Sequence, residues 1–130
     1  MAKYTKAQTK RFYKDLRERW AQAKEVAKKN EVQAAFIEAG VQGVSVASWA
    51  YVKSQLIAQK KEGTPYVDTK TYKGWVESGF RVRKGEKSSI HGICFTEIPN
   101  KTDPKSSFSL PTSYALFHRD QVEPIVEILS

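Results

Sequence analysis

Cysteine is almost absent from this chain: Cys94 stands alone among 130 residues, so no intrachain disulfide can form. That suits a reducing compartment, and the apolar run at residues 90 to 95 predicts a buried, structural thiol. No stretch approaches the roughly 20 apolar residues of a membrane span. The polar, basic N-terminus lacks the apolar segment of a secretory leader, so a cytoplasmic protein with no membrane partner is expected. Two histidines, His91 and His118, stand far apart with neither His-Glu-x-x-His nor paired Cys-x-x-Cys spacing, which argues against a metal site. Cys94 with His118 carries no nucleophile motif. Phosphate-loop and dinucleotide fingerprints are missing, and Glu62, Asp68 and Glu77 are scattered among lysines rather than grouped as in a two-metal nuclease. The expectation is a protein without cofactor, metal or catalytic activity.

Positive charge is what the chain has in excess. The formal charge is +8, from 22 Lys/Arg against 14 Asp/Glu. Two blocks hold it: residues 1 to 29 carry ten Lys/Arg against three acids, and residues 59 to 87 carry eight against four. An anionic partner is expected, with nucleic acid the commonest for this pattern and an acidic protein a further option. The length of 130 residues fits one domain able to bury a core.

The order of elements is helices first, strands last. Phe12, Leu16, Trp20, Ala23 and Ala27 recur at helical steps, predicting a basic helix over residues 5 to 29 with this stripe packed on the core. Asn30 suits the cap of a second helix over 31 to 39 that ends at Gly40. Ser45 or Ser48 starts a third helix reaching about residue 61, with Trp49, Val52, Leu56 and Gln59 at helical spacing. Thr71 caps a short helix through Ser78, and Gly79 stops it. Phe80 and Val82 then alternate with Arg81 and Arg83. Lys84-Gly85-Glu86-Lys87 predicts the tight turn of a basic β-hairpin whose second strand is 88 to 95. Residues 99 to 107 read as a polar, mobile loop; residues 113 to 118 read as a strand beside 90 to 95, and 122 to 129 as a terminal strand or helical turn. Without alternating βαβ units, the class is α+β, with N-terminal helices packed on a small antiparallel sheet.

Aromatic residues interleave with the cations in the second basic block. Arg81, Arg83, Lys84 and Lys87, with Lys73 nearby, are candidates for phosphate contact, and Tyr51, Tyr66 and Tyr72 for stacking on bases. Stacking needs an unpaired base, so the mixture favours single-stranded over duplex nucleic acid. Homeodomain, zinc-finger and basic-zipper signals are absent. Trp49, Leu56, Trp75 and Phe80 are read as core.

The succession Trp75-Val76-Glu77-Ser78-Gly79-Phe80-Arg81-Val82-Arg83-Lys84-Gly85-Glu86-Lys87, followed by Ile90, resembles a pattern of the N-terminal domain of ArdC-type antirestriction proteins. In that family a tryptophan and short helix precede Gly-Arg-x-Val-x-Lys-Gly-Glu-Lys-Gly-Ile. The segment Ser54-Gln55-Leu56-Ile57-Ala58-Gln59 with Pro65-Tyr66-Val67 is similar to the family's Leu-Leu-Ile-x-x-Gln helix and following loop. The phrase from Tyr114 to Glu123, including Phe117, Gln121 and Val122, is similar to its closing phrase. The likeness covers residues 45 to 123, departs at Ser88 where the family has glycine, and leaves the basic helix of residues 1 to 29 outside it. It implies a non-catalytic, largely sequence-independent single-stranded DNA-binding module of plasmids, phages or other mobile elements. Many members continue into a zinc metalloprotease domain with no counterpart in these residues, so protease activity is not expected. An RNA-binding domain and a protein-interaction module directed at a host defence enzyme remain open as alternatives.

Overall fold

The computed structural model describes residues 5 to 103 and 105 to 126. Three of the four described α-helices start where a side-chain cap satisfies backbone donors that have no partner inside the helix. Helix α1 (Lys6–Ala27) opens with a reciprocal cap: the Thr5 hydroxyl accepts from the Gln8 amide at 3.1 Å, and the Thr5 amide donates to Oε1 of Gln8 at 2.8 Å. Helix α2 (Asn30–Ala39) is capped at Lys29 rather than Asn30 and ends at Gly40. Helix α3 (Val46–Ala58) begins after Ser45, whose hydroxyl accepts from the Ser48 amide, so Ser45 is the cap. Helix α4 (Tyr72–Glu77) follows a cap at Thr71.

The strands are β1 (Thr69–Lys70), β2 (Phe80–Val82), β3 (Ile90–Pro99), β4 (Ser107–His118) and β5 (Val122–Pro124). Strands β3 and β4 form one long antiparallel hairpin, running from Ile90 opposite Leu116 to Pro99 opposite Ser107. β1 pairs with the end of β4, giving the order β1-β4-β3. The class is α+β. Residues 107 to 110, outside the strand expected at 113 to 118, belong to β4. Their Ser-Phe-Ser-Leu alternation is a strand period that two nearby prolines had obscured. Pro111 is tolerated inside β4 because it faces Phe95 at a pair that makes no cross-strand bond, so its missing donor falls on the outer edge.

Two apolar clusters hold the layers together. Leu16 and Ala23 of α1 meet Tyr51 of α3 and Ile93 of β3; Val52 and Leu56 of α3 meet Ile90 and Leu116. Helix α3 also runs along the open edge of β3. Nε2 of Gln55 donates to the His91 carbonyl at 2.7 Å, the His91 amide donates back to Oε1 at 3.0 Å, and Nε2 of Gln59 donates to the Ser89 carbonyl at 2.6 Å. Two glutamines one helical turn apart thus stand in for a neighbouring strand, satisfying backbone groups that would otherwise invite another chain. In β3, Gly92 faces Tyr114, and a β-carbon there would sit 2.1 Å from Cζ of that ring. Only glycine lets the tyrosine cross the strand.

The pairing of β2 departs from the expected basic hairpin. β2 pairs not with the strand that follows it but with β5, placing Arg81 opposite Glu123 and Val82 opposite Val122. The intervening residues are held elsewhere: the Ser88 hydroxyl donates to the Leu116 carbonyl at 2.8 Å, and Ser89 binds Gln59. Cys94 is exposed rather than buried, since the pleat that turns Ile93 inward turns Cys94 outward, with Sγ 2.9 Å from the Thr112 hydroxyl. His118 lies six positions along β4 from Thr112, the residue opposite Cys94, so the two do not form a nucleophile pair. Residues 127 to 129 of the anticipated terminal element lie outside the described residues. Among the described residues, no helix is long and apolar enough to cross a membrane.

Candidate nucleic-acid interface

A tight turn is present one residue earlier than predicted, at residues 83 to 86, and its flanking strands do not pair with each other. The Glu86 amide donates to the Arg83 carbonyl at 3.1 Å, and Gly85 has φ of 87°, the positive value required at the third position of a type II turn. Gln121, buried between β4 and β5, fixes both ends. Its backbone carbonyl accepts from the Arg83 amide at 2.9 Å, and its side-chain Nε2 donates to the Lys87 carbonyl at 2.7 Å and to Glu86 at 3.1 Å. Its Oε1 in turn accepts from the His118 amide at 3.0 Å.

Three of the candidate cations sit on this turn. Arg83 gives one N–H to the Asp120 carbonyl at 3.0 Å, a contact that orients the guanidinium without neutralising it. Lys84 and Lys87 are exposed, and neither side chain has an ion pair or hydrogen bond among the described residues. Arg81 differs: its Nε is 2.9 Å from the Glu123 carboxylate across the β2–β5 ladder, so its charge is locally compensated. Lys73, on the helix that packs against β2, is 3.9 Å from Glu77, with both side chains largely in solvent.

The three candidate stacking residues fare unequally. Tyr72 is 58% exposed at the start of α4 and presents a free ring. Tyr66 is half-buried; its hydroxyl is 2.7 Å from that of Tyr114, and burial, then this hydrogen bond, raise its pKa far above the ordinary phenol value. Tyr51 is a correction: it is 6% exposed, packed in the core, with its hydroxyl 2.5 Å from Nε2 of His91. The cause is the seat of α3 along β3, which directs Tyr51 under α1. Trp75 is fully buried as expected, donating Nε1–H to the Phe117 carbonyl at 2.8 Å. Its ring lies 5.1 Å from the Lys70 ammonium and 5.3 Å from the Arg119 guanidinium.

A cleft of about 500 Å³ opens between α1 and the β3–β4 ribbon. One wall is Phe12, Asp15, Leu16 and Arg19; the other is formed by residues 88 to 91 and 113 to 115. Phe12 was expected in the core with the rest of the α1 stripe. It is instead 50% exposed at the rim, while Leu16, Ala23 and Ala27 are buried, because α1 extends past the apolar clusters at its N-terminal end. Arg19 stands between the Tyr51 hydroxyl and Asp15, 3.1 Å away; the hydroxyl first, then the carboxylate, raise its pKa against desolvation. His91 is pushed below its usual range, by burial and then by Arg19. Sequence reasoning missed Phe12, Arg19 and Gln121 as site residues. The closing phrase already contained Gln121, but nothing local marks a glutamine as the brace of a turn more than 30 residues upstream. Among the described residues, no group of three or more His, Cys, Asp or Glu could hold a metal ion.

These elements define an α+β domain carrying a braced cationic turn beside a mixed aromatic and polar cleft. No family model matches the chain, and no curated protein matches it. Among solved structures, it is similar to the metal-free crystal structure of the antirestriction protein ArdC from the R388 plasmid. The likeness has a TM-score of 0.41 at 23% identity, covers 67% of this chain, and spans 30% of the length of that protein.

Proposed function

We propose that this chain binds single-stranded DNA, largely without sequence preference, and does no chemistry on it. The observation that carries this reading is the turn at Arg83–Lys84–Lys87. Three cations project from a backbone that Gln121 braces, and among the described residues no acidic side chain pairs with them. Fixed cations neutralise phosphates at little ordering cost, and neighbouring exposed aromatic groups, Tyr72 and Phe12, suit unpaired bases. Lys73 and Arg81 flank the turn as secondary phosphate contacts, Arg81 after exchanging Glu123 for a phosphate. The resemblance of residues 75 to 87 to ArdC-type domains supports a role in protecting or processing single strands in a plasmid or phage context.

Fluorescence anisotropy of a labelled oligo-dT tests the reading. Affinity should fall steeply as salt rises from about 50 to about 200 mM, through release of condensed counterions. A protein-interaction module would leave the oligonucleotide unbound. Competition with an RNA of matched sequence decides the sugar: tighter RNA binding would replace the DNA reading with an RNA one.

A further inference from the structure

We infer that the cleft between α1 and the β3–β4 ribbon takes one unpaired base of the bound strand, with Phe12 as its stacking wall. This rests on the single-strand reading above. Phe12 belongs to the apolar stripe of α1 yet leaves half its surface in solvent, its ring edge-on to that of Tyr13 at 5.5 Å and one face open to the cleft. It lines the cleft beside Leu16 and Ile90, so an apolar slot leads inward from the rim.

The inner end of the slot is polar. Arg19 brings N–H donors beyond those directed at Asp15 and Tyr51, and His91 lines the opposite wall, its Nε2 held by the Tyr51 hydroxyl. Apolar walls with a few convergent polar groups are what a flat heteroaromatic ring requires: faces covered, edge hydrogen-bonded. The cavity of about 500 Å³ is large enough for a base with its sugar.

Its position completes the argument. Ser88 and Ser89 line the cleft and directly follow Lys87 of the cationic turn. A strand with a phosphate on Lys87 therefore runs beside the residues that open the cleft. The base enters from the turn side and its phosphate stays on the cations.

Four proteins and two ligands test the assignment: the parent, Phe12→Leu, Phe108→Leu and Arg83→Ala/Lys84→Ala/Lys87→Ala, each titrated with an oligo-dT and an abasic strand of equal length. Leucine keeps the apolar bulk of an exposed position, so the fold is retained, and circular dichroism verifies it. The parent should prefer the strand with bases by about 5- to 150-fold, the range of one stacked base. Phe12→Leu should remove most of that preference by weakening oligo-dT alone, while Phe108→Leu, at an equally exposed ring outside the cleft, should keep it. The triple variant should weaken both ligands. An unchanged preference in Phe12→Leu, or a preference lost in Phe108→Leu instead, overturns the cleft assignment and leaves strand binding standing. If the parent binds neither strand, both readings fall.

Discussion

The side chain of Gln121 and the backbone of Lys87 are joined by a 2.7 Å hydrogen bond that crosses from the end of β4 to the base of the cationic turn. Because Gln121 is buried and also accepts from the His118 amide, its removal would orphan groups at both ends. Gln121→Ala should cost about 1 to 3 kcal/mol of stability, the usual penalty for unpaired buried polar groups, measurable as a lower urea midpoint. Oligo-dT affinity should drop as well, since the cations then sit on a looser backbone. Normal affinity in a destabilised Gln121→Ala would separate the brace from the binding surface.

Gly92 and Tyr114 make a second coupled pair. Gly92→Ala sets a β-carbon against the tyrosine ring and should destabilise by about 1 to 3 kcal/mol, as overpacking does. In a Tyr114→Ala background the same substitution should cost little. Equal costs in both backgrounds, read from a double-mutant cycle in urea, would refute the contact.

The thiol of Cys94 offers a check on the pleat of β3. With its side chain turned outward beside Thr112, it should react with a thiol reagent in the native protein without denaturant. A core thiol would react only on unfolding.

His91 gives the protein a pH response whose sign follows from its environment. Burial, and secondarily Arg19, lower its folded-state pKa below the ordinary imidazole value of about 6.5, with Asp15 opposing. Between those two values the unfolded chain binds more protons than the folded one, so stability falls as the pH drops below about 6.5 and levels off below the folded value. His91→Gln should flatten this part of the profile. Urea midpoints between about pH 7.5 and 5 measure it, and a stability that instead rises on acidification would contradict the assignment.

The helices were legible in the sequence because their signals are local. Thr5, Ser45 and Thr71 cap within three residues, and Gly40 and Gly79 end what precedes them. The partner of β2 was not legible. Lys84-Gly85 reads in sequence as a hairpin turn but adopts a type II turn, which splays its flanks, and nothing within residues 80 to 87 reveals that pairing passes instead to residues 122 to 124. The candidate site divides the same way. Its cations could be read from spacing, whereas the choice between Tyr51 and Phe12 as the exposed ring depends on where α1 and α3 rest on β3. That is a tertiary fact with no local trace.

The most direct test of the account is the salt dependence of oligo-dT binding by the parent and by Arg83→Ala/Lys84→Ala/Lys87→Ala. Each phosphate neutralised on a single strand contributes about 0.7 to the slope of log affinity against log salt, so losing three contacts should make the slope shallower by about 2 and weaken binding at low salt. Parallel lines of equal affinity for the two proteins would mean that the turn does not hold the strand, and would contradict the account at its centre.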